Sequence, residues 1–222
     1  VVDLIERNAY NFEGERGEKV IEIEIPENLK TDVEKYRAEL VEKIAEHNED
    51  LLSKFLDGKE ISVEELRGGL RNATLKNQLV PVLCGSALKN KGVQLLLDAV
   101  LDYLPSPQDL VELKPIKGMD QKSGAEIIRI PNDNEPFTAL AFKIATDPFV
   151  GSLTYFRVYS GVLKKGTYVL NSSKGDQERG GRIVRMHANK REEVDEMYAG
   201  DLGAIVGLKN TSTGDTLCDP DK

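Results

Sequence analysis

The residues most suited to binding a ligand lie in a turn of small side chains at 84–92, Cys-Gly-Ser-Ala-Leu-Lys-Asn-Lys-Gly. The apolar run Leu79–Leu83 before it predicts a buried strand, and Val93–Leu104 after it predicts an amphipathic helix. In α/β sheets, ligands bind at such turns, where strands end. The side chains of residues 85–87 are small enough for backbone N–H groups to approach a planar ligand. The alternative is a tight strand–helix turn that holds nothing.

The elements that would complete a nucleotide site are absent from the sequence. A phosphate-binding loop has the pattern Gly-x-x-x-x-Gly-Lys-Ser/Thr between a strand and a helix. Gly161 and Gly166 have this spacing, but Thr167 occupies the lysine position and strand-like runs flank the loop, so a hairpin turn is predicted. Asp-x-x-Gly, which would hold a magnesium-bound water, does not occur. The run 189–192, Asn-Lys-Arg-Glu, ends in Glu where a base-specificity motif has Asp, and we interpret it as a turn. We therefore expect no catalytic residue and no metal ligand.

A second candidate site is the basic stretch 174–191. It contains the following side chains: Lys174, Arg179, Arg182, Arg185, His187, Lys190 and Arg191. Lys and Arg neutralise phosphates and release counterions, and the glycines of this stretch would let a phosphate chain come close to the backbone. The alternative is an ordinary solvated hairpin. No second histidine or carboxylate cluster makes His187 a metal or catalytic residue.

The composition is that of a globular protein, and the sequence contains no apolar stretch long enough to span a membrane. The net charge of −8 does not favour a general nucleic-acid binder, although a local patch can still bind RNA. Cys84 and Cys218 are far apart and unpatterned, so free thiols are expected rather than a disulfide. The first residues do not resemble a secretory signal. We expect a cytoplasmic or organelle-interior protein.

The first half of the chain alternates between strand and helix patterns. Residues 2–25 predict strands, and the alternation over 21–25 predicts one buried face. Apolar residues at three- and four-residue steps predict a long helix over 29–57, with a gap near His47 and Asn48 and a stop at Gly58. Ser62 and Glu65 form a capping-box pattern that opens a shorter helix to about Lys76.

The second half is predicted to consist of strands and turns. Residues 110–135 are polar and predict a loop, and we place the domain boundary near residue 110. From 136 onward, short strand-like runs separated by Gly-containing turns predict a small closed β-barrel. A turn is expected at 147–151. The fold class is therefore α+β in two domains.

Longer stretches of the sequence resemble elongation factor G, a translational GTPase family. The motifs that carry the resemblance are Glu135-Pro136-Phe137, Thr146-Asp147-Pro148-Phe149-Val150-Gly151, Arg157-Val158-Tyr159-Ser160-Gly161, Met186-His187-Ala188-Asn189-Lys190, Ala199-Gly200-Asp201 and Thr213-Gly214-Asp215-Thr216-Leu217-Cys218. Residues 1–78 resemble the insertion in the family's nucleotide domain, 79–108 its last strand and helix, and 109–222 its second-domain barrel. The resemblance thus implies a partial α/β GTPase domain with an α+β insertion, followed by an antiparallel translation-factor-type barrel.

The resemblance implies functions that the residues alone do not show. The parent would be a ribosome-dependent GTPase that uses GTP and Mg²⁺ to move tRNA and mRNA. The backbone at Ser86 and Ala87 would contact guanine, and the Leu88 side chain would form part of the pocket around the base. The barrel would contact small-subunit ribosomal RNA through the basic stretch, and the insertion would face the ribosomal stalk proteins. This chain would bind no cofactor and hydrolyse no GTP by itself.

Two alternatives remain open at this point. In the first alternative, the chain is a free-standing RNA- or protein-binding barrel adaptor without a GTPase history. In the second, it is part of another translational GTPase, such as a ribosomal protection protein or a release factor. The insertion that contains the 29–57 helix favours elongation factor G over those relatives.

Overall fold

The structure is a computed structural model that describes residues 1–111, 115–120, 123–147, 151–188 and 190–220. The chain divides into two compact units, Val1–Pro105 and Ser106–Lys222. The division into 1–78, 79–108 and 109–222 remains a prediction. The expected turn at 147–151 lies mostly outside the described residues, as does Asn189 of the 189–192 run.

The first unit begins with a three-stranded antiparallel sheet. Its strands are β1 (Val2–Asp3), β2 (Asn8–Glu13) and β3 (Lys19–Ile23), in the order β1-β2-β3. The predicted strands are confirmed, but the buried face predicted for 21–25 is only partly covered, since in β3 only Ile23 is half-buried and the other side chains are exposed. Ile21 on that strand is exposed.

Four α-helices follow the sheet. They are α1 (Lys30–Ala45), α2 (Glu49–Leu56), α3 (Val63–Leu75) and α4 (Val93–Tyr103), and a 3-10 turn at Glu27–Leu29 precedes α1. The predicted 29–57 helix is two helices, since Asn48 starts a new one by accepting a hydrogen bond from the Leu51 N–H at 3.1 Å. Arg37 of α1 donates to the backbone carbonyls of Leu4 and Ile5, which ties the helix to the turn between β1 and β2.

Local signals at the ends of these helices are confirmed. Gly58 has φ +65°, the left-handed conformation that ends helices, and α2 stops two residues before it. Ser62 accepts from the Glu65 N–H, and the Glu65 carboxylate accepts from the Ser62 N–H at 3.0 Å, which completes the capping box of α3.

The predicted buried strand over Leu79–Leu83 is wrong. In the described residues, 79–83 belong to no strand, and the side chains of Val80 and Val82 are 82% and 92% exposed. A strand forms only where a neighbouring strand accepts and donates its ladder hydrogen bonds. No described strand lies beside this segment, and Val80, Val82 and Leu83 are exposed to solvent.

The second unit begins with a hairpin that the sequence analysis treated as a loop. Strands β4 (Ile116–Met119) and β5 (Glu126–Arg129) pair antiparallel within the polar region 110–135. The pairing partners are Ile116 with Arg129 and Met119 with Glu126. Gly118 within β4, Gly124 between the strands and the flanking Pro115 and Pro131 hid the alternation.

The rest of the second unit is the predicted antiparallel barrel. Its strands are β6 (Thr138–Asp147), β7 (Gly151–Ser160), β8 (Leu163–Lys164), β9 (Tyr168–Asn171), β10 (Asp176–Arg179), β11 (Arg182–His187), β12 (Lys190–Val194), β13 (Glu196–Met197), β14 (Leu202–Val206) and β15 (Thr216–Cys218). Eight of them form one sheet in the order β10-β9-β15-β6-β7-β14-β11-β12, and β8 pairs with β13.

One buried cluster fills the barrel. It includes Phe156 of β7, Val169 of β9, Ile183 of β11 and Met197 of β13. Because strands far apart in the sheet contribute to the same cluster, the sheet curls around it. Among the described residues, no helix has both the length and the apolar character that a bilayer crossing requires.

Candidate functional site

The turn at residues 86–91 is closed by its own backbone. The Ser86 N–H donates to the Lys91 carbonyl at 2.8 Å, and the Lys91 N–H donates to the Ser86 carbonyl at 3.0 Å. A side chain at Gly85 would begin 2.7 Å from the Lys91 carbonyl oxygen, so this closure requires glycine there. The Ser86 N–H is therefore already hydrogen-bonded within the turn, while Ala87 and Leu88 are exposed.

The connection between β2 and β3 is hydrogen-bonded to Asn90 of the 86–91 turn and to Gln94 of α4. The Asn90 side chain donates to the Arg16 carbonyl at 2.7 Å, and Gln94 donates to the Gly17 carbonyl at 3.3 Å. Gly17 has φ +62°, and an added Cβ would lie 2.7 Å from the Asn90 carbonyl oxygen. The 86–91 turn is therefore held by the β2–β3 connection.

The guanine-contacting roles of Ser86, Ala87 and Leu88 remain predictions. Leu88 is 97% exposed and is not among the residues that line the cavity of the first unit. A cavity of about 990 Å³ in this unit is lined on one side by the 79–84 segment and by Leu95 and Ala99 of α4.

The basic stretch 174–191 does not form one patch, because the sheet divides it between two faces. In the β11–β12 register, Arg185 pairs with Glu192 and His187 with Lys190, on the side of the sheet that bears the core residue Ile183. By the same alternation, Arg182 points to the outer side, as does Arg191, which pairs with Met186.

Most cations of the stretch already have acidic partners. Arg182 lies 3.5 Å from Glu193, Arg185 lies 3.6 Å from Asp201, and His187 lies 3.4 Å from Glu192. Lys190 makes no ion pair among the described residues. The stretch therefore has less unpaired positive charge than its composition suggests.

The other two candidates of the stretch have structural contacts. Lys174 lies 3.2 Å from the Asp215 carboxylate and donates to the Ser212 hydroxyl at 2.6 Å. Arg179 donates from Nε to the Gly166 carbonyl at 3.2 Å, across the turn that follows β8. These contacts hold loops of the barrel in place.

Near β12, the negative charge of Glu193 is matched by the positive charges of Lys165 and Arg182. Glu193 accepts a hydrogen bond from Lys165 at 3.2 Å. That bond, together with the charges of Lys165 and Arg182, lowers the pKa of Glu193 from its ordinary value. A carboxylate stabilised in this way remains charged and offsets the neighbouring cations.

Sequence reasoning missed two cations on the outer face of β6 and β7. Lys143 Nζ lies 5.6 Å from the centroid of the Tyr155 ring, and Arg157 Cζ lies 5.7 Å from the centroid of the Tyr159 ring. Neither cation has an acidic partner in the part of the chain that the structure describes. The alternation Tyr-x-Arg-x-Tyr along β7 was the signal that could have identified this face.

The run 161–167, for which the sequence predicts a hairpin turn, lies between strands β7 and β9. Gly161 and Gly166 both have positive φ, +69° and +78°, and they flank the two-residue strand β8 in a turn between strands. In the described residues, no group of three or more His, Cys, Asp and Glu side chains is arranged to hold a metal ion.

Comparison with known proteins finds a likeness for the second unit. Residues 136–220 match the family model for Elongation factor G domain 2. A crystal structure of a protein from Thermus thermophilus aligns with 100% of this chain at a TM-score of 0.77 and 28% sequence identity. This chain spans 30% of the length of that protein. The resemblance to elongation factor G and the α+β fold with a barrel are confirmed.

Proposed function

We propose that this chain belongs to a ribosome-dependent translation factor of the elongation factor G kind, and that its barrel contacts small-subunit ribosomal RNA. The match of residues 136–220 to elongation factor G domain 2 carries the proposal. The alignment of the whole chain with part of the longer Thermus protein supports it for both units. GTP-driven movement of tRNA and mRNA would be the activity of the larger protein.

In this proposal the first unit is an incomplete nucleotide domain. Its exposed apolar side chains include Val80 and Val82 before the 86–91 turn and Leu101 on α4. Segments of a longer protein would bury them and give the 79–83 segment the strand neighbours that it lacks here. The insertion, residues 1–78, would face ribosomal stalk proteins.

Nucleotide chemistry belongs to the larger protein as well. GTP or GDP with Mg²⁺ would need a phosphate-binding loop that this sequence lacks, and residues 86–88 would supply only part of the guanine contact. The chain by itself is proposed to hydrolyse nothing. Its location would be the bacterial cytoplasm or the interior of an organelle.

Sedimentation of the purified 222-residue chain with bacterial ribosomes tests the proposal. We expect the chain to pellet with 70S ribosomes and with 30S subunits, less so as salt rises from about 50 to about 200 mM, because phosphate contacts are weakened by salt. Full-length elongation factor G should displace it. Failure to pellet at either salt concentration, or pelleting that the full-length factor does not reduce, would contradict the proposal.

A further inference from the structure

The outer face of β6 and β7 carries the exposed Phe142 ring and the half-buried Tyr155 ring, beside two cations that have no acidic partner in the described residues. Strand alternation directs Phe156 and Val158 of β7 into the core, and it directs Tyr155 and Arg157, which alternate with them, to the opposite side. On β6 the register shifts between Ala141 and Lys143, so a bulge lies at this point of the strand pair. The bulge brings the Phe142 ring to the outer face.

These rings form a small aromatic surface. The Phe142 and Tyr155 ring centroids are 6.3 Å apart with the rings tilted by 49°, and Phe142 is 42% exposed. Tyr155 packs on this face against a second buried cluster, formed by Leu153, Val184 and Ala204. The surface is therefore supported by packed strands and does not depend on a loop.

The charges on this face complement a polyanion. Lys143 and Arg157 have no carboxylate partner among the described residues, although the whole chain has a net charge of −8. Arg157 Nε is buried and has no hydrogen-bond acceptor in the described part of the chain. In contrast, the cations of the 174–191 stretch mostly face Glu or Asp at 3.2–3.6 Å.

From this geometry we propose that the outer face of β6 and β7 binds unpaired nucleotides of RNA. A base stacks on the exposed Phe142 ring beside Tyr155, and the flanking phosphates lie against Lys143 and Arg157. Rings that alternate with cations along a rigid strand pair bind single strands, because every base has a π-face and every nucleotide a phosphate. In a duplex the bases are stacked on each other and cannot reach the rings. This inference rests on the proposed ribosomal function and assigns its contact to residues of β6 and β7 instead of the 174–191 stretch.

The test measures binding of the full chain to a fluorescent oligoadenylate of about 12 nucleotides and to an RNA duplex of about the same length. We expect the single strand to bind at least about tenfold more tightly than the duplex. Phe142→Leu keeps the apolar area but removes the ring, so it should weaken single-strand binding about five- to tenfold without changing the salt dependence. Tyr36→Leu is the matched control, since Tyr36 is an exposed ring beside Lys35 on the acidic helix α1.

The cations are tested by Lys143→Ala combined with Arg157→Ala. This variant should bind about tenfold more weakly and lower the slope of log affinity against log salt by roughly 1.4, about 0.7 for each lost phosphate contact. Lys35→Ala combined with Lys76→Ala removes two positive charges elsewhere and should change neither quantity. Thermal unfolding of each variant establishes that the barrel remains folded.

The outcomes separate this inference from the proposed function. Equal affinity for duplex and single strand, no binding of the single strand, or equal losses in the control variants would overturn the nucleotide surface. If the chain still pellets with ribosomes in those cases, the proposed function stands and the contact lies elsewhere. In a further outcome, the Phe142→Leu variant loses its ability to pellet with ribosomes and still binds oligoadenylate as the wild type does. That result would indicate that Phe142 contacts a protein partner, and it would also overturn the inference.

Discussion

At the residue scale, two adjacent glycines in α3 have opposite roles. A Cβ at Gly69 would lie 2.6 Å from Leu51 Cδ1 and 2.8 Å from Ile44 Cγ2, whereas a Cβ at Gly68 would meet nothing within 4 Å. Glycine weakens a helix, so its presence at 69 needs a packing reason. The close approach of α1 and α2 to α3 supplies that reason.

We therefore expect opposite effects of alanine at the two positions. Gly68→Ala should raise the free energy of unfolding by about 0.5–1 kcal/mol, through helix propensity alone. Gly69→Ala should lower it by about 1 kcal/mol or more, since the stiff β-branched Ile44 must move to admit the methyl group. Urea unfolding followed by circular dichroism measures both, and stabilisation by Gly69→Ala would contradict the packing argument.

A second prediction at this scale concerns Glu178 in the barrel. Its carboxylate accepts hydrogen bonds from the Asn210 N–H at 3.0 Å, from the Thr211 hydroxyl at 2.7 Å and from the Lys209 N–H. Burial raises the pKa of Glu178, but these hydrogen bonds outweigh burial, so that the pKa lies below its ordinary value of 4.5. We expect Glu178→Gln to lower the free energy of unfolding by about 1–3 kcal/mol at pH 7.

The pH dependence follows from the sign of that shift. A pKa lowered in the folded state stabilises the protein above the ordinary pKa, and this contribution is lost as the pH falls through the folded value. The difference between wild type and Glu178→Gln should therefore shrink as the pH falls below 4.5. Glu126→Gln, which removes only an exposed ion pair with Lys117, is the control and should show little effect at any pH. A difference that stays constant to low pH would rule out the carboxylate as its source.

At the element scale, the 79–84 segment and α4 keep apolar side chains in solvent that a buried βα unit would cover. Val82→Ser and Leu101→Gln should each change the free energy of unfolding by less than about 0.5 kcal/mol, because both side chains are already exposed. Leu66→Ala is the contrast: this side chain of α3 is fully buried, and its truncation should cost about 2–5 kcal/mol. A large loss from Val82→Ser would show that the segment packs in solution.

At the scale of the whole molecule, the two units differ in how completely their apolar residues are covered. The barrel encloses one continuous cluster, while the first unit has a three-stranded sheet with an exposed edge and an open apolar segment. We expect hydrogen exchange to be slower at the amides of β6, β7 and β14 than anywhere in residues 1–108, because local opening requires less energy where less apolar surface is buried. Equal protection in both units would favour a free-standing adaptor.

Nucleotide binding is also a property of the whole molecule. Titration with a fluorescent GTP analogue and Mg²⁺ should show no binding up to about 1 mM, a concentration that corresponds to only about 4 kcal/mol of binding free energy. The physical reason is the missing phosphate-binding loop, since a guanine contact at 86–88 alone provides too few interactions. Tight binding would mean that the 161–167 turn or the 189–192 run forms a site.

The sequence by itself determined the local features of this protein: the capping box at Ser62, the stop at Gly58, the barrel strands and the resemblance to elongation factor G. These depend on neighbours in the chain or on alternation along one strand. Only the tertiary structure decided whether the 79–83 segment is a strand and which cations remain unpaired. A strand needs partners distant in sequence, and Arg182 or Arg185 is neutralised by carboxylates that the fold brings close. The outer face of β6 and β7 emerged for the same reason, because a bulge and a strand register place Phe142 and Lys143 beside Tyr155 and Arg157.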